Sequence, residues 1–144
     1  MDFETTVEWR GEYPARLSCQ NGMEIDYSSP IEFGGVKGPL TPEDAFIASA
    51  NMCFQIVFRR ISSDLGVGVR GYRCRAVGKL ETVEGIRKFV TITLNPEITL
   101  EPGSDVSRIE KAIEATKRKC LVTNSMSAEI IVIPRLTQGA AEKV

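Results

Sequence analysis

Histidine is absent from the chain, and that omission removes several chemistries at once. A Ser-His-Asp triad, a Cys-His pair and a histidine-ligated metal all need an imidazole. Four cysteines are present, Cys19, Cys53, Cys74 and Cys120, but none forms a C-x-x-C pair. This argues against a zinc ribbon or a thioredoxin-type motif. Excess charge is lacking too: a net charge of −1 gives no electrostatic ground for a nucleic-acid or acidic-lipid partner. No N-terminal segment joins basic residues to a long apolar run, and the central apolar stretch is cut short by Arg59 and Arg60. Neither a secretion signal nor a membrane span is expected, and a cytoplasmic location follows by default. Repeats and low-complexity tracts are also missing.

What remains is an ordinary globular composition, 42% hydrophobic and 26% charged over 144 residues, enough for one domain with its own core. The expectation is a single domain over residues 1–136 and a frayed tail over 137–144. Alternation over Phe3–Trp9 predicts a half-buried strand. Ala15–Gln20 and Met23–Tyr27 predict two more, joined at Asn21-Gly22, a two-residue hairpin signal. Ser28–Leu40 reads as a Gly/Pro-punctuated loop.

The stretch from Thr41 to Leu65 reads as one long helix, about 34 Å at 1.5 Å per residue. Thr41 is placed to cap it and Pro42 to occupy its first position, while Glu43 and Asp44 supply charge that suits the dipole. It is apolar on nearly every side, so other structure is expected to wrap it. Val69–Thr82 and Arg87–Leu94 predict a long hairpin turning at Val83–Ile86. Asn95-Pro96 and Pro102-Gly103 are expected to bound a short extended segment, Glu97–Glu101. Ser104 or Asp105 caps a second, amphipathic helix to about Lys119, with Ile109, Ile113, Thr116 and Cys120 on one face. Ala128–Leu136 supplies a last strand.

Two cysteines fall on apolar helical stripes. Cys53 shares one with Phe46, Ala50, Val57 and Ile61, where a free thiol can simply fill space. Cys120 follows Lys117-Arg118-Lys119; these cations favour a thiolate if they face it, or else answer the helix dipole. Cys19 and Cys74 sit in strand patterns and read as sheet packing. Glu43 precedes Cys53 by roughly 15 Å of helix, too far to touch it along a straight axis. As an acid in a first turn it needs no functional explanation.

The run from Pro42 to Phe54, PEDAFIASANMCF, followed by a second cysteine in KCLVTNS, resembles the family of osmotically inducible protein C and organic hydroperoxide resistance protein. So do the preceding loop from Pro30 to Glu43 and the terminal AEIIVIPRL. The likeness spans essentially the whole chain, and the Cys53–Cys120 spacing with the Pro42-Glu43 start is its most specific part. It implies an α+β fold in which curved antiparallel sheets wrap two long central helices in an intertwined homodimer. It implies cofactor-free, thiol-dependent reduction of organic hydroperoxides, with an external dithiol as reductant. Cys53 matches the peroxidatic cysteine, Cys120 the resolving one, and Glu43 the carboxylate that positions an active-site arginine.

The chain departs from the family pattern twice. Where members carry an arginine near the thiol, the loop before the long helix offers only Lys37, and the N-terminal turn offers Arg10 and Arg16; Arg16 is the expected candidate. The proline that commonly follows the second cysteine is replaced by Leu121. A second reading therefore stands beside the peroxidase: a non-catalytic module of the same fold that binds or senses a small apolar or thiol-bearing ligand. A purely structural protein is the third.

Overall fold

The computed structural model describes residues 1–139, which form two compact units, Met1–Phe46 and Ile47 onward. In the first unit β1 (Thr5–Glu8), β2 (Ala15–Cys19) and β3 (Glu24–Tyr27) make an antiparallel sheet in that order. The hairpin between β2 and β3 differs from the expected two-residue form. Gly22 N–H donates to Cys19 O and Cys19 N–H to Met23 O, with Gly22 at φ +95°. This is a three-residue loop whose last position is left-handed, the role glycine fills most cheaply. Asn21 contributes through its side chain instead, accepting from Met23 N–H at 3.0 Å. β1 was expected to be half-buried, but every residue of it is exposed on this chain.

The loop to the first helix is closed on itself. Ser28, fully buried, accepts from Val36 N–H and donates to Ser29 O, both at 2.9 Å. Its own N–H pairs with Leu40 O, so both ends of the loop meet. α1 (Pro42–Asp64) then starts where expected: Asp44 N–H donates to Thr41 Oγ1 at 3.1 Å. Its end is also encoded locally. Val67 N–H reaches Ser62 O and Gly66 N–H reaches Ser63 O, with Gly66 at φ +71°, a glycine C-cap that satisfies the last carbonyls.

The second unit is built on β4 (Val69–Val83) and β5 (Ile86–Leu100), a long antiparallel hairpin turning through Glu84 (φ 52°) and Gly85 (φ 78°). β5 does not stop at Asn95-Pro96. Leu94 O accepts from Ile133 N–H, so the edge of Pro96, two residues on, faces the same side. There β6 (Glu129–Val132) pairs only as far as Leu94, and β7 (Arg135–Gln138) begins only at Glu97. The missing proline N–H thus falls in a gap between ladders and costs no bond. Pro134 splits the expected last strand into β6 and β7, both parallel to β5, so this sheet is mixed rather than wholly antiparallel. β7 also takes in Thr137 and Gln138, where the tail was expected to begin; residues 140–144 lie outside the described ones.

α2 (Val106–Lys119) is capped by Asp105, which accepts from Ser107 N–H at 2.9 Å. It buries Ile109, Ile113 and Thr116, as its periodicity predicted. The core of this unit joins that face to Ile92, Leu94, Ile98 and Leu100 of β5 and to Phe54 and Phe58 of α1, all fully or almost fully buried. Burying each of these large side chains is worth about 1.5–3 kcal/mol.

α1 lies on the half-buried face of β4. Phe58 meets the Tyr72 ring at 5.6 Å between centroids, and Asn51 Nδ2 donates to Cys74 O at 3.1 Å. Gly78 has no room for a Cβ beside the Ile47 Cδ1 methyl. The buried line of the helix is Ala50, Phe54, Phe58 and Ser62, rotated from the expected Phe46–Ala50–Cys53–Val57–Ile61. The two phenylalanines claim the sheet, and Cys53, Val57 and Ile61 are left half-buried at the edge. The all-round wrapping is not met on this chain: Met52 and Ile56 are 60% and 65% exposed. Among the described residues no helix is long and apolar enough to cross a membrane.

Candidate thiol site

Cys53 projects from the edge of α1, half-buried, and Cys120 is fully buried where α2 ends. The long helix and the C-terminus of α2 bring them together: the Cys120 thiol hydrogen-bonds Cys53. Cys120 has an extended backbone (φ −67°, ψ 111°) and serves both as C-cap of α2 and as N-cap of α3 (Leu121–Asn124). That corner turns the first amides of α3 toward the Cys53 sulfur, which accepts from Val122 N–H and Leu121 N–H.

These groups oppose one another. Burial, the largest influence, pushes the Cys53 thiol up, because a thiolate loses solvation. The Val122 N–H pulls it down, Cys120 pushes it up again, and the Leu121 N–H pulls it down; the net direction is up. None of these is a cation. Lys117, Arg118 and Lys119 are all exposed, so the cations before Cys120 follow the dipole reading rather than facing Cys53.

The corner is anchored on both sides of Cys120, whose N–H donates to Thr116 O at 2.8 Å. Cys120 O accepts from Asn124 Nδ2 at 2.7 Å, Asn124 N–H at 3.1 Å and Thr123 Oγ1 at 3.4 Å. Asn124 Nδ2 also reaches the carbonyls of Lys117 and Arg118 at 3.1 and 3.3 Å. It therefore satisfies helix-end acceptors that would otherwise be orphaned. Sequence reasoning missed Thr123 and Asn124. A signal existed, since a Thr-Asn-Ser run directly after a helix end offers the side chains that bond backbone locally.

Glu43 sits in the first turn of α1, in the first unit, with Oε2 buried and without a hydrogen-bond partner among the described residues. The two candidate arginines are engaged on their own sheet. Arg16 is held by Asp26 at 3.0 Å and Glu24 at 3.3 Å, which raise its pKa further, and Arg10 pairs with Glu8 at 3.1 Å. Cys19 belongs to β2, and Cys74 to β4, where burial pushes its thiol up. Among the described residues no cluster of three cysteine, aspartate or glutamate side chains could hold a metal.

The arrangement defines a dithiol protein in which one accessible and one buried sulfur meet at a helix corner. The model of the OsmC-like protein family matches residues 35–134, and the chain belongs to that family. Solved structures share its fold at low identity. An OsmC-like protein of unknown function from Vibrio cholerae is 20% identical, with a TM-score of 0.87 over 93% of this chain and 99% of that one. An organic hydroperoxide resistance protein from Elizabethkingia anophelis is 19% identical, with a TM-score of 0.75 over 96% and 97%. The organic hydroperoxide resistance protein OhrB of Bacillus subtilis is 16% identical, with a TM-score of 0.64 over 95% and 98%. No curated protein sequence matches the chain.

Proposed function

We propose that this protein is a cysteine-based peroxidase that reduces organic hydroperoxides to alcohols. The observation that carries this reading is the contact between the Cys53 and Cys120 thiols, with two backbone N–H groups directed at the Cys53 sulfur. The accessible sulfur is the one a substrate reaches, so Cys53 attacks and Cys120 resolves. The Cys53 thiolate takes the distal peroxide oxygen, the O–O bond breaks, and the leaving alkoxide gains a proton to become the alcohol. Cys53 is then a sulfenic acid. Cys120 attacks its sulfur, water leaves, and a disulfide joins the two residues. An external dithiol restores both thiols by exchange.

The apolar neighbours of Cys53 on α1, half-buried Val57 and exposed Met52 and Ile56, favour alkyl or aromatic hydroperoxides over hydrogen peroxide. Met52 and Ile56 on α1 support a homodimer, since a second copy would give their exposed faces the cover that an apolar helix requires. The buried, unpartnered Glu43 oxygen supports an arginine partner for it in that assembly.

Stoichiometric cumene hydroperoxide followed by mass spectrometry tests the proposal. Sulfenate or a Cys53–Cys120 disulfide should appear, and Cys53→Ser should lose peroxide consumption. Unmodified thiols, with undiminished consumption by Cys53→Ser, would sink the mechanism. The engagement of Arg16 and Arg10 by carboxylates favours one second reading, a ligand-binding module without turnover. Unchanged thiols together with a ligand-dependent rise in melting temperature would select it.

A further inference from the structure

A cleft of about 600 Å³ runs along α1 beside the start of β4, and neither Cys53 nor Cys120 lines it. Its walls carry Arg59, Arg60, Asp64 and Glu101. None of these four makes an ion pair among the described residues. Arg60 and Asp64 stand four residues apart on the helix, a spacing that lets opposite charges pair, yet they do not.

The charges are sorted along the cleft. Arg59 and Arg60 share one level of α1, with the Gln55 amide a turn before them; Asp64 closes the helix, and Glu101 enters just after β5. Two local choices build the acidic end. The last turn of α1 has no basic residue and finishes on Asp64, against the preference of the helix dipole for a cation there. Gly68 lies under the Glu101 carboxylate, where a Cβ would collide with Oε2, and its O accepts from Glu101 N–H at 2.9 Å. Gly68 has no left-handed φ, so room for the carboxylate, and not a turn, is what calls for glycine here.

From the level of Arg59 and Arg60 to Asp64 is about 7 Å of helix axis. Two extended residues span about that distance, at 3.3–3.6 Å each; a single amino acid spans half of it. A wholly anionic ligand would set its charge against Asp64 and Glu101. We infer that the cleft binds a short peptide with free termini. Arg59 and Arg60 take its carboxylate, Asp64 and Glu101 its ammonium, and Ile56, Val67 and Val69 an apolar side chain. No thiol takes part, so the assignment stands apart from the peroxidase reading. Ile56 also belongs to the face assigned above to a second copy, which places the cleft at the margin of that contact.

Calorimetric titration of the dipeptide Ala-Leu into the reduced protein at low ionic strength tests the site, with N-acetyl-Ala-Leu and Ala-Leu amide for comparison. We expect saturable binding of Ala-Leu, weakened about tenfold by capping either end, as loss of charge-assisted contacts implies. Asp64→Asn with Glu101→Gln should erase the distinction between free and acetylated amino termini and keep that between acid and amide. Arg59→Gln with Arg60→Gln should do the reverse. These side chains are all exposed, and melting curves check that the variants fold. No saturable binding of Ala-Leu, or equal affinity for its capped forms, would overturn the site. So would substitutions that alter sedimentation of the peptide-free protein while leaving Ala-Leu affinity untouched, because the four charges would then serve a second copy.

Discussion

Asn124 donates its side-chain amide to the carbonyl oxygen of Cys120 at 2.7 Å. Cys120 is thus held through its backbone as well as its sulfur, the former by a residue one helical turn away. Replacing Asn124 with Ala leaves the carbonyls of Lys117, Arg118 and Cys120 short of a donor. We expect a loss of about 1–2 kcal/mol in urea unfolding. Disulfide formation, followed by loss of free thiols after a peroxide pulse, should slow more than sulfenate formation at Cys53.

Leu121 offers a second handle. Its N–H is one of the two donors to Cys53, and it stands at the first position of α3, where proline is readily accommodated. Leu121→Pro should keep the fold and remove one donor. A hydrogen bond of about 1 kcal/mol corresponds to a roughly fivefold slower reaction of Cys53 with cumene hydroperoxide at neutral pH. An unchanged rate, measured by stopped flow, would show that the Leu121 amide has no part in thiolate formation.

The pH dependence follows from the direction of the Cys53 shift. Burial outweighs the amides, so the folded pKa lies above that of an unfolded thiol. The rate of sulfenate formation should therefore climb with pH through the ordinary thiol range without levelling there. Stability runs the other way. The folded state holds the proton more tightly, so the contribution is fully present below the unfolded pKa. It is lost as pH rises through the folded one. Urea midpoints across alkaline pH, wild type against Cys53→Ser, check the sign.

Gly78 lies directly under the Ile47 side chain of α1. Gly78→Ala sets a methyl against Ile47 Cδ1, and overpacking of this kind costs about 1–3 kcal/mol. Pairing it with Ile47→Val, which removes that methyl, should recover part of the loss. Thermal melts of the two singles and the double variant give the coupling.

The helices and their caps were legible because their signals are local. Thr41, Gly66 and Asp105 act within a few residues, and the α2 face from Ile109 to Cys120 repeats at helical spacing. The errors arose where a distant strand decides. Pro96 looks like a strand end until β6 and β7 leave a gap beside it, and Pro134 divides a run that reads as continuous. On α1, periodicity pointed to the stripe from Phe46 to Ile61 through Cys53, whereas the position of β4 buries the adjacent one holding Phe54 and Phe58. Periodicity could place both cysteines on helices, but it could not say that Cys53 and Cys120 touch. That pairing was legible only as a family likeness, and the role of Asn124 only as a Thr-Asn-Ser run directly after a helix end.

α1 is pinned to β4 at three heights, by Ile47 on Gly78, by Asn51 on Cys74 and by Phe58 on Tyr72. Cys53 lies between the second and third of these, on a helix with little freedom to slide or roll. The sheet thereby acts as a fixed bench for one sulfur. Whatever displacement a bond between the two sulfurs would demand must come from the short corner at Cys120, where the restraints are a few local hydrogen bonds: Cys120 N–H to Thr116 O, and Asn124 to the carbonyls of Lys117, Arg118 and Cys120. Oxidation and reduction of this protein would then be registered as strain in α3, a four-residue spring, while the core beneath keeps its shape.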